Sequence, residues 1–189
     1  MALLSELDAI NQILSVTGDA PVSNVNSTYE QAVVARRILL EISRQKQARG
    51  YWFNEVDEFL ILKDTDGHIN FPSDTIRVDI PRDNGYFVQR GLKLFNKRLN
   101  TYVFTIDIYA NIVSELVWSL LPQSFRQYVV AEASLRYNAE YFGSHELTQR
   151  IEKDVFSKKI DLDKEDIDNR DLNMLKSTRA SNIAFKNRR

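Results

Sequence analysis

The chain of 189 residues contains no cysteine. That absence removes disulfides, thiol catalysis and cysteine-ligated metal sites together. Histidine is almost as scarce, with only His68 and His145, and neither stands in a spacing that would set it against a nucleophile or an orienting carboxylate. His68 belongs to the turn segment Asp64-Thr65-Asp66-Gly67-His68 and His145 follows an expected helix cap, so both read as solvated polar residues. No run approaches the roughly 18 apolar residues of a membrane span, so no membrane insertion is expected. The first residues, MALLSELDAINQIL, carry Glu6 and Asp8 where a secretory leader would be basic and then apolar. Assembly inside a cell fits that pattern.

Functional motifs are missing as well. There is no G-x-x-x-x-G-K-[ST], no G-x-G-x-x-G after a strand, no G-x-S-x-G and no H-E-x-x-H. Two acidic stretches fail as calcium loops: with Asp64 and Asp66 at the third and fifth positions, Leu62 and Ser73 fall where carboxylates are required. Starting at Asp161 puts Asp166 in place of glycine and Leu172 in place of glutamate. Asn26-Ser27-Thr28 matches a glycosylation acceptor by letter only. The expectation is a protein that is not an enzyme, with no catalytic residue, no cofactor and no metal.

What is present is an ordinary globular composition, 43% hydrophobic and 27% charged, long enough to bury a real core. A net charge of −1 argues against a dedicated nucleic-acid binder. The charge is unevenly spread. From Leu172 onward Lys176, Arg179, Lys186, Arg188 and Arg189 are met by no acid, so residues 1–171 carry −6.

Ser5, with Asp8 three residues on, predicts the cap of a first helix whose apolar stripe is Leu7, Ile10, Ile13 and Leu14, and Gly18 ends it. After the polar loop 23–28, Thr28 or Ser27 caps a long basic helix. Val34, Ile38, Leu39 and Ile42 form its buried face, Arg36, Arg37, Arg44, Lys46 and Arg49 point elsewhere, and Gly50 stops it. Tyr51, Trp52 and Phe53 then lead an expected strand. The period shifts toward two around Phe59 and Ile61, Ile76 to Ile80, Tyr86 to Val88, Leu92 to Phe95 and Tyr102 to Tyr109. Asn84-Gly85 is the strongest hairpin signal. Pro122 restarts helix, with Phe125, Val129, Ala133 and Tyr137 on one face and Val130 and Tyr141 supporting it. Gly143 closes that helix and Ser144 caps a last one with Leu147, Ile151, Val155, Phe156 and Ile160 as its stripe. The acidic run Asp161 to Asp168 either extends this helix or frays.

These readings predict an α+β fold: a helical bundle body of about four helices from 1–50 and 119–171, an antiparallel β-sheet inserted at 51–118, and a flexible basic C-terminal arm at 172–189. A body and an arm of opposite sign suit a protein whose work is contact. Two readings follow: a structural assembly protein, or a nucleic-acid-binding accessory protein that uses the arm and the basic helix on phosphate without sequence preference.

Three blocks carry a family resemblance. Glu6 to Val25, ELDAINQILSVTGDAPVSNV, Ala35 to Asn54, ARRILLEISRQKQARGYWFN, and Leu121 to Leu147, LPQSFRQYVVAEASLRYNAEYFGSHEL, resemble the tail tubular protein A family in order and spacing. These are the head-to-tail adaptors, or gatekeepers, of short-tailed podoviruses. Lys63 to Tyr109 shows no residue-level match. Membership implies a homo-oligomeric ring, dodecameric in this family, assembled in the host cytoplasm and carried in the virion tail. The ring binds beneath the portal protein, with the tail nozzle protein, tail tubular protein B, attached below and DNA passing through its lumen. The resemblance implies that the C-terminal segment faces the portal and the β insertion faces the nozzle. The acid-free basic tail leads to the expectation that Arg179, Lys186, Arg188 and Arg189 dock into an acidic groove of the portal; Arg36, Arg37 and Arg44 are expected at contacts between subunits, and Asn84, Gly85 and Tyr86 on the nozzle-facing side. The resemblance brings no catalytic residues.

Overall fold

The structure, a computed structural model, describes residues 3–81 and 85–176. Its elements in chain order are α1 (Glu6–Thr17), α2 (Glu30–Gln47), β1 (Glu55–Ile61), β2 (Thr75–Asp79), β3 (Phe87–Arg90), β4 (Lys93–Asn96), β5 (Ile108–Ser114), a 3-10 turn (Trp118–Leu120), α3 (Gln123–Tyr141) and α4 (His145–Lys176). The α+β class is as expected. The chain divides into two compact units, one joining the chain up to Ser43 with the chain from Trp118 onward, the other Arg44–Val117.

In the helical unit, α1 starts where Ser5 Oγ accepts the Asp8 backbone N–H at 3.1 Å and ends where the Gly18 and Asp19 N–H groups reach back to Leu14 and Ser15 carbonyls. Ile10, Ile13 and Leu14 are buried, and Ala9, rather than Leu7, completes the face. On α2 the buried face is Ala32, Ala35, Ile38, Leu39 and Ile42; Val34 sits at its margin. Phe125, Val129, Ala133 and Tyr137 of α3 are all buried, while Tyr141 is exposed. Ser144 Oγ accepts the Leu147 N–H and opens α4. That helix continues through the acidic run, where Lys159 pairs with Asp163 and Arg170 with Asp166 at one-turn spacing. Among its described side chains Ile151, Leu162 and Asp166 are buried, and the expected stripe is corrected at Phe156 and Ile160, which face outward.

In the second unit β5 is the central strand of a sheet ordered β1-β5-β2, antiparallel on both sides. Ile108, Ala110 and Ile112 point from β5 into a core with Ile61, Ile69, Phe71, Leu94 and Phe104. Three expectations are corrected. The last strand begins at Ile108, because the alternation breaks at the exposed Ile106 while Asp107 turns to accept the Lys63 N–H. Tyr51 to Phe53 form a turn before β1, with only Tyr51 fully buried. The strands flanking Gly85 pair elsewhere, β2 with β5 and β3 with β4, and Asn84 lies outside the described residues. The tight hairpin is at Gly91-Leu92 between Arg90 and Lys93, where Gly91 takes φ +61 and Leu92 keeps a negative φ, the type II′ pattern.

Candidate functional site

Each basic residue of α2 singled out by sequence is engaged within its own chain. Arg36 Nε donates to Glu6 Oε1 at 2.8 Å and Arg44 Nε lies 3.1 Å from Glu115 Oε2. Arg37 belongs to a closed ring of alternating charge: Arg37–Glu41 at 3.0 Å, Glu41–Arg136 at 3.2 Å, Arg136–Glu140 at 2.7 Å and Glu140–Arg37 at 3.5 Å. The hydrogen bond from Arg136, helped by both guanidinium charges, holds the Glu140 carboxyl below its ordinary range. Glycine at 85 has φ +76; Tyr86 is exposed, with the Arg98 guanidinium 5.6 Å from its ring centre. Arg179, Lys186, Arg188 and Arg189 lie outside the described residues.

Asp64, Asp66 and His68 bring ligand-type atoms within 4.8 Å of one another. The geometry is that of a turn: Asp64 Oδ1 accepts the N–H groups of Asp66 and His68, and Oδ2 accepts from the Asn70 side chain. The His68 N–H bond is the chief reason the Asp64 carboxyl is held low. A cleft of about 420 Å³ in the β unit is lined by Ile80, Pro81, Phe87, Ile106 and Tyr109 with Glu58, Asp107 and Asn111. Its polar groups serve the backbone, Asn111 Oδ1 accepting from Glu58 N–H and Asp107 from Lys63 N–H. These bonds fix loops and strands; they do not set a nucleophile against a base.

Sequence reasoning missed a set of buried and half-buried polar residues that fasten the fold, several of which fall inside the three blocks. In the first, Asn11 holds Val22 through both amide atoms, and Asp19 accepts from Tyr137 at 3.0 Å. In the second, Asn54 Oδ1 accepts the Tyr51 N–H while Nδ2 donates to the Gln47 and Ser114 carbonyls; Gln47 in turn clasps both backbone groups of Leu116. Beside them Gly50 has φ +81, and a Cβ there would lie 2.9 Å from Arg77, 3.0 Å from Glu55 and 3.1 Å from Val113. In the third, the buried Arg126 donates to the carbonyls of Leu4, Ser119 and Leu121 at 2.7–3.0 Å, and burial lowers its pKa. A signal was available in one case: Arg126 stands within the face that the helical period assigned to the core.

A family model described as tail tubular protein matches residues 7–172, running through the segment where no residue-level match was visible. The chain is 30% identical over 127 residues to tail tubular protein A of Klebsiella phage KP34, covering 67% of each chain. The match runs through most of the chain and takes in both units, and the chain belongs to the tail tubular protein family, structural proteins of phage tails.

Proposed function

We propose that the protein is the head-to-tail adaptor of a short-tailed phage: a ring of copies, dodecameric as the family resemblance implies, between the portal protein and the tail nozzle, with DNA leaving through its lumen. The observation that carries this reading is the family match from residue 7 to 172, which takes in both the helical unit and the β unit. Supporting it, large apolar side chains stand exposed on both units, among them Val33, Phe156, Leu62 and Tyr109, as contact surfaces require. Among the described residues no helix is long and apolar enough to cross a membrane.

In this reading subunits meet along the side of α2 that carries Arg36, Arg37 and Arg44, the turn with Asn84, Gly85 and Tyr86 faces the nozzle, and Arg179, Lys186, Arg188 and Arg189 dock on acidic groups of the portal. The helix α4 runs to Lys176, so a chain cut after Lys176 keeps every described element and loses only those four charges, moving the net charge from −1 to −5. Pull-down on the portal protein of the same phage should fail for the shortened chain while its circular dichroism and urea midpoint stay unchanged. Equal capture of both chains rejects the assignment of the four residues, and no capture of the intact chain rejects the adaptor reading.

A further inference from the structure

Two exposed apolar stripes of the helical unit share one spacing. Phe156, Ile160 and Ile167 on α4 lie at intervals of four and seven, which places them within about 40° around the helix. Tyr29, just before α2, and Val33 and Leu40 on it repeat the same intervals. All six are exposed, Val33 at 52%, Phe156 at 69% and Ile167 at 58%.

The stripes lie on opposite sides of α3. Arg136 and Glu140 of α3 meet Glu41 and Arg37 of α2. Ser134 and Asn138, two residues earlier and therefore about 200° around the helix, face α4: Asn138 Nδ2 donates to Thr148 Oγ1 at 2.9 Å, and Ser134 shares a crevice with Ile151 and Asp154. Direction is fixed as well. Arg37 pairs with Glu140 and Glu41 with Arg136, so α2 runs against α3. Ser134 neighbours Ile151 and Gln127 neighbours Lys158 across one crevice each, so α4 also runs against α3. Thus α2 and α4 run the same way along two opposite sides of the unit.

We propose that α2 of one copy docks against α4 of the next, the two stripes meeting in parallel with Tyr29 opposite Phe156, Val33 opposite Ile160 and Leu40 opposite Ile167. That alignment sets Arg36 against Asp163. Charge supports the pairing, since 29–44 holds three arginines and two glutamates whereas 156–168 holds five acids and three lysines. Patches on opposite sides of a unit make a head-to-tail contact, which repeats around a closed ring and leaves no copy unpaired. The inference rests on the adaptor reading, because it supplies the repeating contact of that ring.

The absence of native cysteine makes a direct test clean. Full-length chain carrying both Val33→Cys and Ile160→Cys, oxidised and run on a denaturing gel, should give a ladder of covalent oligomers beyond the dimer; either single variant should give none. A second variant, Leu40→Asp with Phe156→Asp, alters only exposed positions and should raise the concentration for assembly, by sedimentation velocity, at least about tenfold with an unchanged urea midpoint. If unmodified chain forms rings while the double cysteine gives no ladder and the aspartate variant assembles normally, the contact is overturned and the adaptor reading stands. Dimers from a single cysteine variant would show a two-fold, like-to-like contact and overturn it too. Unmodified chain that stays monomeric, alone and with its phage's portal protein, brings down both.

Discussion

The buried Asn54 makes three bonds from one side chain, joining the end of α2, the aromatic turn and β5. Replacing it with alanine removes all three bonds, although the Gln47 carbonyl keeps the Gly50 N–H at 3.0 Å, and leaving a buried group unsatisfied costs about 1–3 kcal/mol. Urea unfolding of Asn54→Ala should therefore show a loss of about 3 kcal/mol, and a loss below about 1 kcal/mol would mean that water replaces the amide. The two turn glycines separate strain from crowding. Gly91→Ala meets open space, so only the positive φ opposes it, at about 1 kcal/mol. Gly50→Ala meets the same strain plus atoms at 2.9–3.1 Å and should be the more damaging of the two. Tyr137 supplies a pH signature. Burial, and then Asp19, push its phenol above the ordinary value. A raised folded pKa contributes stability that is complete below the unfolded value of about 10 and is lost as pH rises toward the folded one. Stability of the unmodified protein should fall above about pH 10, and Tyr137→Phe should lack that part of the fall while being weaker at neutral pH through loss of the Asp19 bond.

At the level of elements, the charge ring joining α2 to α3 is exposed, so its four pairs position the helices more than they stabilise them. Glu41→Gln, which breaks two pairs, should cost less than about 1 kcal/mol, and the cost should shrink further as salt rises. The helices were legible because burial on one face writes a period into the sequence: Ile10, Ile13 and Leu14, then Phe125, Val129, Ala133 and Tyr137, all reached the core they predicted. The strands were less so. In β1 a bulge between Val56 and Phe59, with Glu58 at φ +51, breaks the alternation that a period-two reading needs. Pairing was not legible at all, because β5 joins partners at both edges from far along the chain, and the hairpin glycine is Gly91 rather than the Asn-Gly pair. The outward stripe of α4 misled for a related reason: Phe156 and Ile160 keep a helical period, but period alone does not say whether the apolar face meets its own chain or another.

For the whole molecule, two kinds of attraction are proposed and salt acts on them differently. The contact between copies buries apolar stripes, which added salt does not weaken, whereas the four terminal cations act on the portal through charge that is screened beyond about 10 Å at 0.1 M and about 3 Å at 1 M. Raising sodium chloride from about 0.05 M to about 0.5 M should lower capture by immobilised portal protein steeply while rings already formed keep their sedimentation coefficient. The chain cut after Lys176 should show no such salt response, because the charges responsible are gone. Rings that come apart in step with the loss of portal capture would mean that Arg36 and its neighbours, rather than Val33, Leu40, Phe156 and Ile160, hold one copy to the next. Retention of the intact chain on random duplex DNA at low salt, lost on the same cut, would instead give the terminal cations a phosphate partner.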